Sequence, residues 1–81
     1  MNYSQHLSSA LVAFGSGDEA GALAELDLAL AEAGRVDPEG PRVAEVLQYV
    51  AQLKGQMGRT AEADEAKAKA TAIWKRFEPE G

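Results

Sequence analysis

The segment Val36-Asp37-Pro38-Glu39-Gly40 aligns with Phe77-Glu78-Pro79-Glu80-Gly81 at an offset of 41 residues, and the two segments share Pro-Glu-Gly. The same offset aligns further identical residues upstream, which are Ala10/Ala51, Gly17/Gly58, Ala20/Ala61, Ala22/Ala63, Ala29/Ala70, Ala31/Ala72 and Arg35/Arg76. An abundance of alanine explains some of these identities, but not the aligned glycines or the repeated Pro-Glu-Gly ends. Self-similarity at such a period is typical of repeat proteins. The chain is therefore predicted to be one domain, residues 1–81, built from repeat units 1–40 and 42–81.

Each unit has the apolar spacing of two helices. Apolar residues recur every three or four positions, and β-branched residues are sparse, which favours helices over strands. The stripes predict helices at about 3–14, 18–34, 41–57 and 60–77. We expect an all-α fold of two antiparallel helix-turn-helix hairpins, four helices in all.

Residues suited to turns and caps separate the predicted helices. Gly15-Ser16-Gly17-Asp18 tolerates positive φ, and Ser16 with Glu19 has the spacing of a capping box. Thr60 is the expected N-cap of the last helix, Gly34 the expected end of the second, and Pro41 fits the first turn of the third.

Composition and charge exclude several functions. The net charge of −5 argues against binding to nucleic acid or to anionic membranes, which both attract basic proteins. The longest apolar stretch near the start, residues 10–14, is too short to span a membrane or to act as a signal peptide. Without cysteine, disulfides and thiolate chemistry are absent. We expect a soluble, cytoplasmic protein.

No group of residues has the pattern of an active site. His6 is the single histidine and has no neighbouring partners for metal binding or base catalysis, so it is interpreted as a surface or groove residue. Gly15-Ser16-Gly17 lacks the spacing of a phosphate-binding loop. The acids of the second helix are spread around it and are interpreted as a solvated face. The prediction is a non-enzymatic protein with no cofactor and no metal.

The recurring small residues resemble the tetratricopeptide repeat. A small residue in the first helix is followed by glycine at the turn and then by alanines five and twelve residues later, as Ala10, Gly17, Ala22 and Ala29 and again as Ala51, Gly58, Ala63 and Ala70. The second unit is most similar to the longer repeat of kinesin light chains. The resemblance implies hairpins stacked into a short right-handed α-solenoid, with the first helix of each pair lining a groove for peptides.

Groove residues follow from this resemblance alone. It implies Ser4, Leu7, Ser8 and Leu11 in the first helix, and Glu45, Gln48, Tyr49 and Gln52 in the third. Family members that bind carboxylate tails carry Lys, Arg and Asn at such positions, and this chain does not. The resemblance therefore implies hydrogen bonding to the backbone of an extended or helical peptide.

Trp74 and Phe77 lie in the last predicted helix, which no later helix covers. They either pack inward against Leu53 and Met57 or form an apolar interface, because repeat proteins usually need further units or a polar cap. We expect this end to associate, as a homodimer or on a partner.

The sequence thus predicts a protein–protein interaction module, an adaptor, scaffold or assembly factor that binds a protein or peptide and self-associates. Two alternatives stay open. One is an acidic inhibitor or regulator that occupies a basic site on another protein. The other is a purely structural, self-assembling repeat.

Overall fold

Four helices form the part of the chain that the computed structural model describes, residues 2–77. They are α1 (Tyr3–Gly15), α2 (Glu19–Val36), α3 (Pro41–Gln56) and α4 (Thr60–Lys75). No strand occurs within those residues, so the predicted all-α class is confirmed. The second helix continues past Gly34 to Val36, which shows that the expected end at this glycine was wrong.

The helices form two stacked hairpins. α1 packs along α2, and α3 packs along α4. α3 also packs on α2 and touches α1, whereas the backbone of α4 approaches α3 alone among the described helices. α3 is therefore the central element, with neighbours on several sides.

The two hairpin turns repeat the same hydrogen bonds 41 residues apart. The Asp18 N–H donates to the Ala13 carbonyl at 2.9 Å, and the Arg59 N–H donates to the Lys54 carbonyl at 2.8 Å. Gly17 has φ 85° and Gly58 has φ 83°. A side chain at these positive φ values is strained. This is the physical reason for the aligned glycines in the sequence.

The turns allow a stability test with a built-in control. Gly58→Ala is expected to lower the free energy of unfolding by roughly 1–2 kcal/mol, because alanine disfavours positive φ. Gly34→Ala should instead raise it by about 0.4–1 kcal/mol, since Gly34 is helical and no atom lies near an added Cβ. Urea titration measures both changes. Equal effects of the two substitutions would refute this account of the turns.

Two predicted caps differ from those observed. The N-cap of α2 is Asp18, whose carboxylate accepts from the Gly21 N–H at 2.9 Å. Ser16 instead donates its hydroxyl to the Val12 carbonyl at 3.0 Å. Arg59 is the N-cap of α4, without a side-chain cap, and Thr60 is its first helical residue. The observed N-cap lies two residues after Ser16 in the first hairpin and one residue before Thr60 in the second. In both hairpins it directly follows the positive-φ glycine.

Alanine makes up half of the buried apolar residues in the described part of the chain. Ala10, Ala22, Ala29 and Ala44 are completely buried. The largest fully buried side chains are Leu26, Leu53 and Val46. Small side chains let helix backbones approach closely. The core is therefore thin, and each large buried side chain contributes a substantial share of its apolar area.

Candidate functional site

One side of α3 carries four of the predicted groove residues. Glu45 and Gln52 each lie three and four residues from the adjacent pair Gln48 and Tyr49, which places all four on one side of the helix. They line a single open depression of about 350 Å³. Gln48 and Gln52 are exposed, and Glu45 and Tyr49 are half-buried. We call these four residues the α3 surface.

The α3 surface continues toward α4. A second depression, of about 370 Å³, shares Gln48 and Gln52 and adds Ala51, Lys67, Ala70 and Thr71. The Thr71 hydroxyl is turned back to the Lys67 carbonyl, at 2.9 Å. Because two glutamines face both depressions, one molecule bound there could contact α3 and α4 together.

Tyr3 holds Glu45 at one end of the surface. Its hydroxyl donates to Glu45 Oε2 at 3.0 Å, joining α1 to α3. This hydrogen bond, with smaller contributions from burial and from the carboxylate charge, raises the pKa of Tyr3 above its ordinary value of 10.0. The neutral phenol is thus favoured in the folded chain. Its stabilisation is present below that ordinary value and is lost as the pH rises through the higher folded pKa.

A tyrosinate titration checks this contact. In Tyr49→Phe, the ultraviolet absorbance of ionised tyrosine reports Tyr3 alone, because the chain has two tyrosines. We expect the midpoint to fall when Glu45→Ala is added, since the acceptor that holds the phenol proton is gone. The same midpoint with and without Glu45 would mean that the two side chains are not bonded in solution.

The first-helix residues of the predicted groove do not lie together. Leu7 is 6% exposed and belongs to the core, whereas Leu11 is 42% exposed. Ser4 and Ser8 are exposed. Leu7 is therefore unavailable to a partner, and none of these four residues lines either depression. The resemblance does not separate the inward side of α1 from its outward side.

Trp74 and Phe77 have different environments. Trp74 is half-buried and packs against the core, while its indole nitrogen is buried with no hydrogen-bond partner in the described structure. Phe77, after the end of α4, is 52% exposed. The two rings therefore do not act as one exposed pair.

His6 is buried, so its interpretation as a surface or groove residue is wrong. The residue is 9% exposed, and its Nδ1 lies 2.7 Å from Glu25 Oε2. This contact joins α1 to α2. The position one residue before Leu7 carried no sequence signal for it, because the partner acid lies in the other helix.

The sequence did not predict a cleft between α2 and α4. It has a volume of about 490 Å³ and is lined by Leu30, Pro38, Glu39, Val43, Leu47, Lys69, Ala72, Ile73 and Arg76. The charges at its edges pair with acids of the same chain, as Arg76 does with Glu39 at 3.0 Å and Lys69 with Glu65 at 3.2 Å. The cleft therefore presents an apolar floor with charges already neutralised. It lies on the other side of α3 from the α3 surface, since Val43 and Leu47 face away from Gln48 and Gln52.

Within residues 2–77, no three His, Cys, Asp or Glu side chains are grouped to hold a metal ion. None of the described helices is long and apolar enough to cross a membrane. No protein-family model, curated protein or solved structure matches the chain.

Proposed function

We propose that this chain is a non-enzymatic protein–protein interaction module that binds a peptide segment of a partner on the α3 surface. The observation that carries the proposal is that Glu45, Gln48, Tyr49 and Gln52 line one open depression. The shape is shallow and polar, which suits a polypeptide backbone better than a small apolar molecule.

The side chains of the α3 surface match a peptide backbone. Each glutamine amide both donates and accepts, as a peptide group does. Tyr49 adds a flat apolar ring with a hydroxyl, the combination enriched at protein interfaces. Glu45 and Lys67 lie in the two neighbouring depressions. We therefore expect a bound peptide to place a basic residue near Glu45 and an acidic residue near Lys67.

Membership of the tetratricopeptide family is part of the proposal. The matching hydrogen bonds of the two turns, and the completely buried Ala10, Ala22 and Ala29, support it. We further propose a role as an adaptor, scaffold or assembly factor in the cytoplasm, which rests on the sequence alone.

The acidic-inhibitor alternative has less support. Three acids of the first hairpin are engaged within the chain: Asp18 caps α2, Glu25 contacts His6, and Glu32 lies 3.4 Å from Arg35. An inhibitor that occupies a basic site needs its carboxylates free. The hypothesis that the chain associates through Trp74 and Phe77 also has less support, because Trp74 packs against the core.

Selection from a random peptide library tests the proposed function. Peptides enriched on the immobilised wild-type protein are expected to lose roughly tenfold in affinity or more for Gln48→Ala/Gln52→Ala, the equivalent of about 1.4 kcal/mol. Gln56→Ala is the matched control, since Gln56 is an exposed glutamine of α3 outside both depressions. Enriched peptides that bind the double variant as tightly as the wild type, or no enrichment at all, would overturn the proposal.

A further inference from the structure

The exposed side of α2 is unlike that of α4. Ala24, Asp27, Leu28, Ala31 and Arg35 are all exposed, and their spacings of three and four put them on one side of the helix. We call them the outer face of α2. Leu28 is 48% exposed at its middle, although the other side of α2 is well packed through Ala22, Leu26, Ala29 and Ala33.

α4 shows what a solvated face looks like in this chain. Its exposed side combines Asp64, Lys67, Thr71 and Lys75 with alanines, and it exposes no large apolar side chain. The outer face of α2 differs by its exposed leucine, which lies between two alanines seven residues apart, or about two helical turns. Alanines at this spacing allow another helix to approach closely on either side of Leu28.

The charges on this face are complementary to themselves. Asp27 and Arg35 lie four residues before and four residues after Ala31. When two such helices run antiparallel and cross at Ala31, Asp27 of each copy lies level with Arg35 of the other. A parallel arrangement would place like charges side by side. Two-fold symmetric dimers pair the same patch on both subunits, and this pattern meets that condition.

We propose that two copies of this chain form a two-fold dimer through the outer face of α2, with the helices antiparallel and crossing at Ala31. The aliphatic stem of Arg35 covers Leu28 of the other copy, and its guanidinium reaches the adjacent Asp27. Asp27 forms no ion pair inside residues 2–77. Arg35 is 76% exposed and lies 3.4 Å from Glu32, a solvated contact that contributes little in water.

The dimer leaves the α3 surface free. α2 packs on α3 through its buried side, so Leu28 and Ala31 point away from α3. Asp27, at the edge of the outer face, borders a depression that Lys54 of α3 also lines. A dimer therefore carries two separate peptide sites, and a partner with two matching segments gains affinity from binding both. Dimer formation does not depend on the proposed peptide binding, and each is tested separately.

Sedimentation equilibrium across a wide range of protein concentration measures the association. The wild type is expected to dimerise, and Leu28→Asp to raise the dimer dissociation constant by roughly tenfold or more. Asp27→Arg and Arg35→Asp should each weaken the dimer, because each brings like charges together. Circular dichroism confirms that the variants keep their helices.

The charge pairs make a sharper prediction about mixtures. Asp27→Arg mixed with Arg35→Asp is expected to form a heterodimer of nearly wild-type affinity, since both contacts again join opposite charges. The double variant Asp27→Arg/Arg35→Asp should likewise dimerise as the wild type does. A monomer at every concentration would overturn the proposal. So would a dimer that Leu28→Asp leaves intact, or one restored by neither the mixture nor the double variant.

Discussion

Replacing Leu26 by alanine is expected to lower the free energy of unfolding by about 3 kcal/mol. The side chain is 1% exposed and packs at the centre of the core, and truncating such a leucine removes apolar contacts and leaves a cavity. A domain of this size is stabilised by only roughly 4–12 kcal/mol. The loss should therefore be a large fraction of the total, measured by urea unfolding followed by circular dichroism.

Leu28→Ala is the matched control for this experiment. The same change two residues along α2 removes a side chain that is 48% exposed, so we expect a loss of less than about 1 kcal/mol. Both variants should be compared at a protein concentration low enough to keep the chain monomeric. A loss at Leu28 as large as the loss at Leu26 would contradict the assignment of the inner and outer sides of α2.

Trp74→Ala is expected to lower the free energy of unfolding by about 2 kcal/mol. This is less than the loss for a fully buried tryptophan, because Trp74 is half-buried against the core. Phe77→Ala should change the free energy of unfolding by less than roughly 0.5 kcal/mol, since Phe77 is largely exposed after α4 ends. Urea unfolding of the two single variants measures both values.

The same two variants separate packing from association. If Trp74 stabilises the monomer, the stability lost in Trp74→Ala is independent of protein concentration. If both rings formed an interface, the two variants would lose similar amounts, and the losses would grow as the wild type is concentrated. That second result would contradict the inward packing of Trp74 and would place the self-association surface at the end of α4.

The helices and turns were predictable because their causes are local. Apolar residues spaced by three and four define a helix, and Gly17 and Gly58 mark turns that need positive φ. The capping residues were harder to predict. Ser16 and Asp18 both suit an N-cap, and the choice depends on where the glycine turn ends rather than on residue type. Gly34 resembled a helix end, but the helix tolerates it and continues.

The burial of individual side chains was less predictable because it depends on how the helices pack together. Leu7 and Leu11 lie one turn apart in the same stripe, yet one is in the core and the other is partly exposed. His6 meets Glu25 from another helix. The cleft between α2 and α4 arises from helix spacing, which a single sequence does not encode locally. The α3 residues were predicted from the family resemblance, and they line one depression because their spacing puts them on one side of a helix.

The most direct test of the account is to add an enriched peptide to the ¹⁵N-labelled protein and follow the amide signals by NMR. We expect the largest shifts at Gln48, Tyr49 and Gln52, and little change at Leu30 and Ile73 in the cleft on the other side of α3. Shifts concentrated at Leu30 and Ile73, with the three α3 residues unchanged, would contradict peptide binding at the α3 surface and assign it to the cleft.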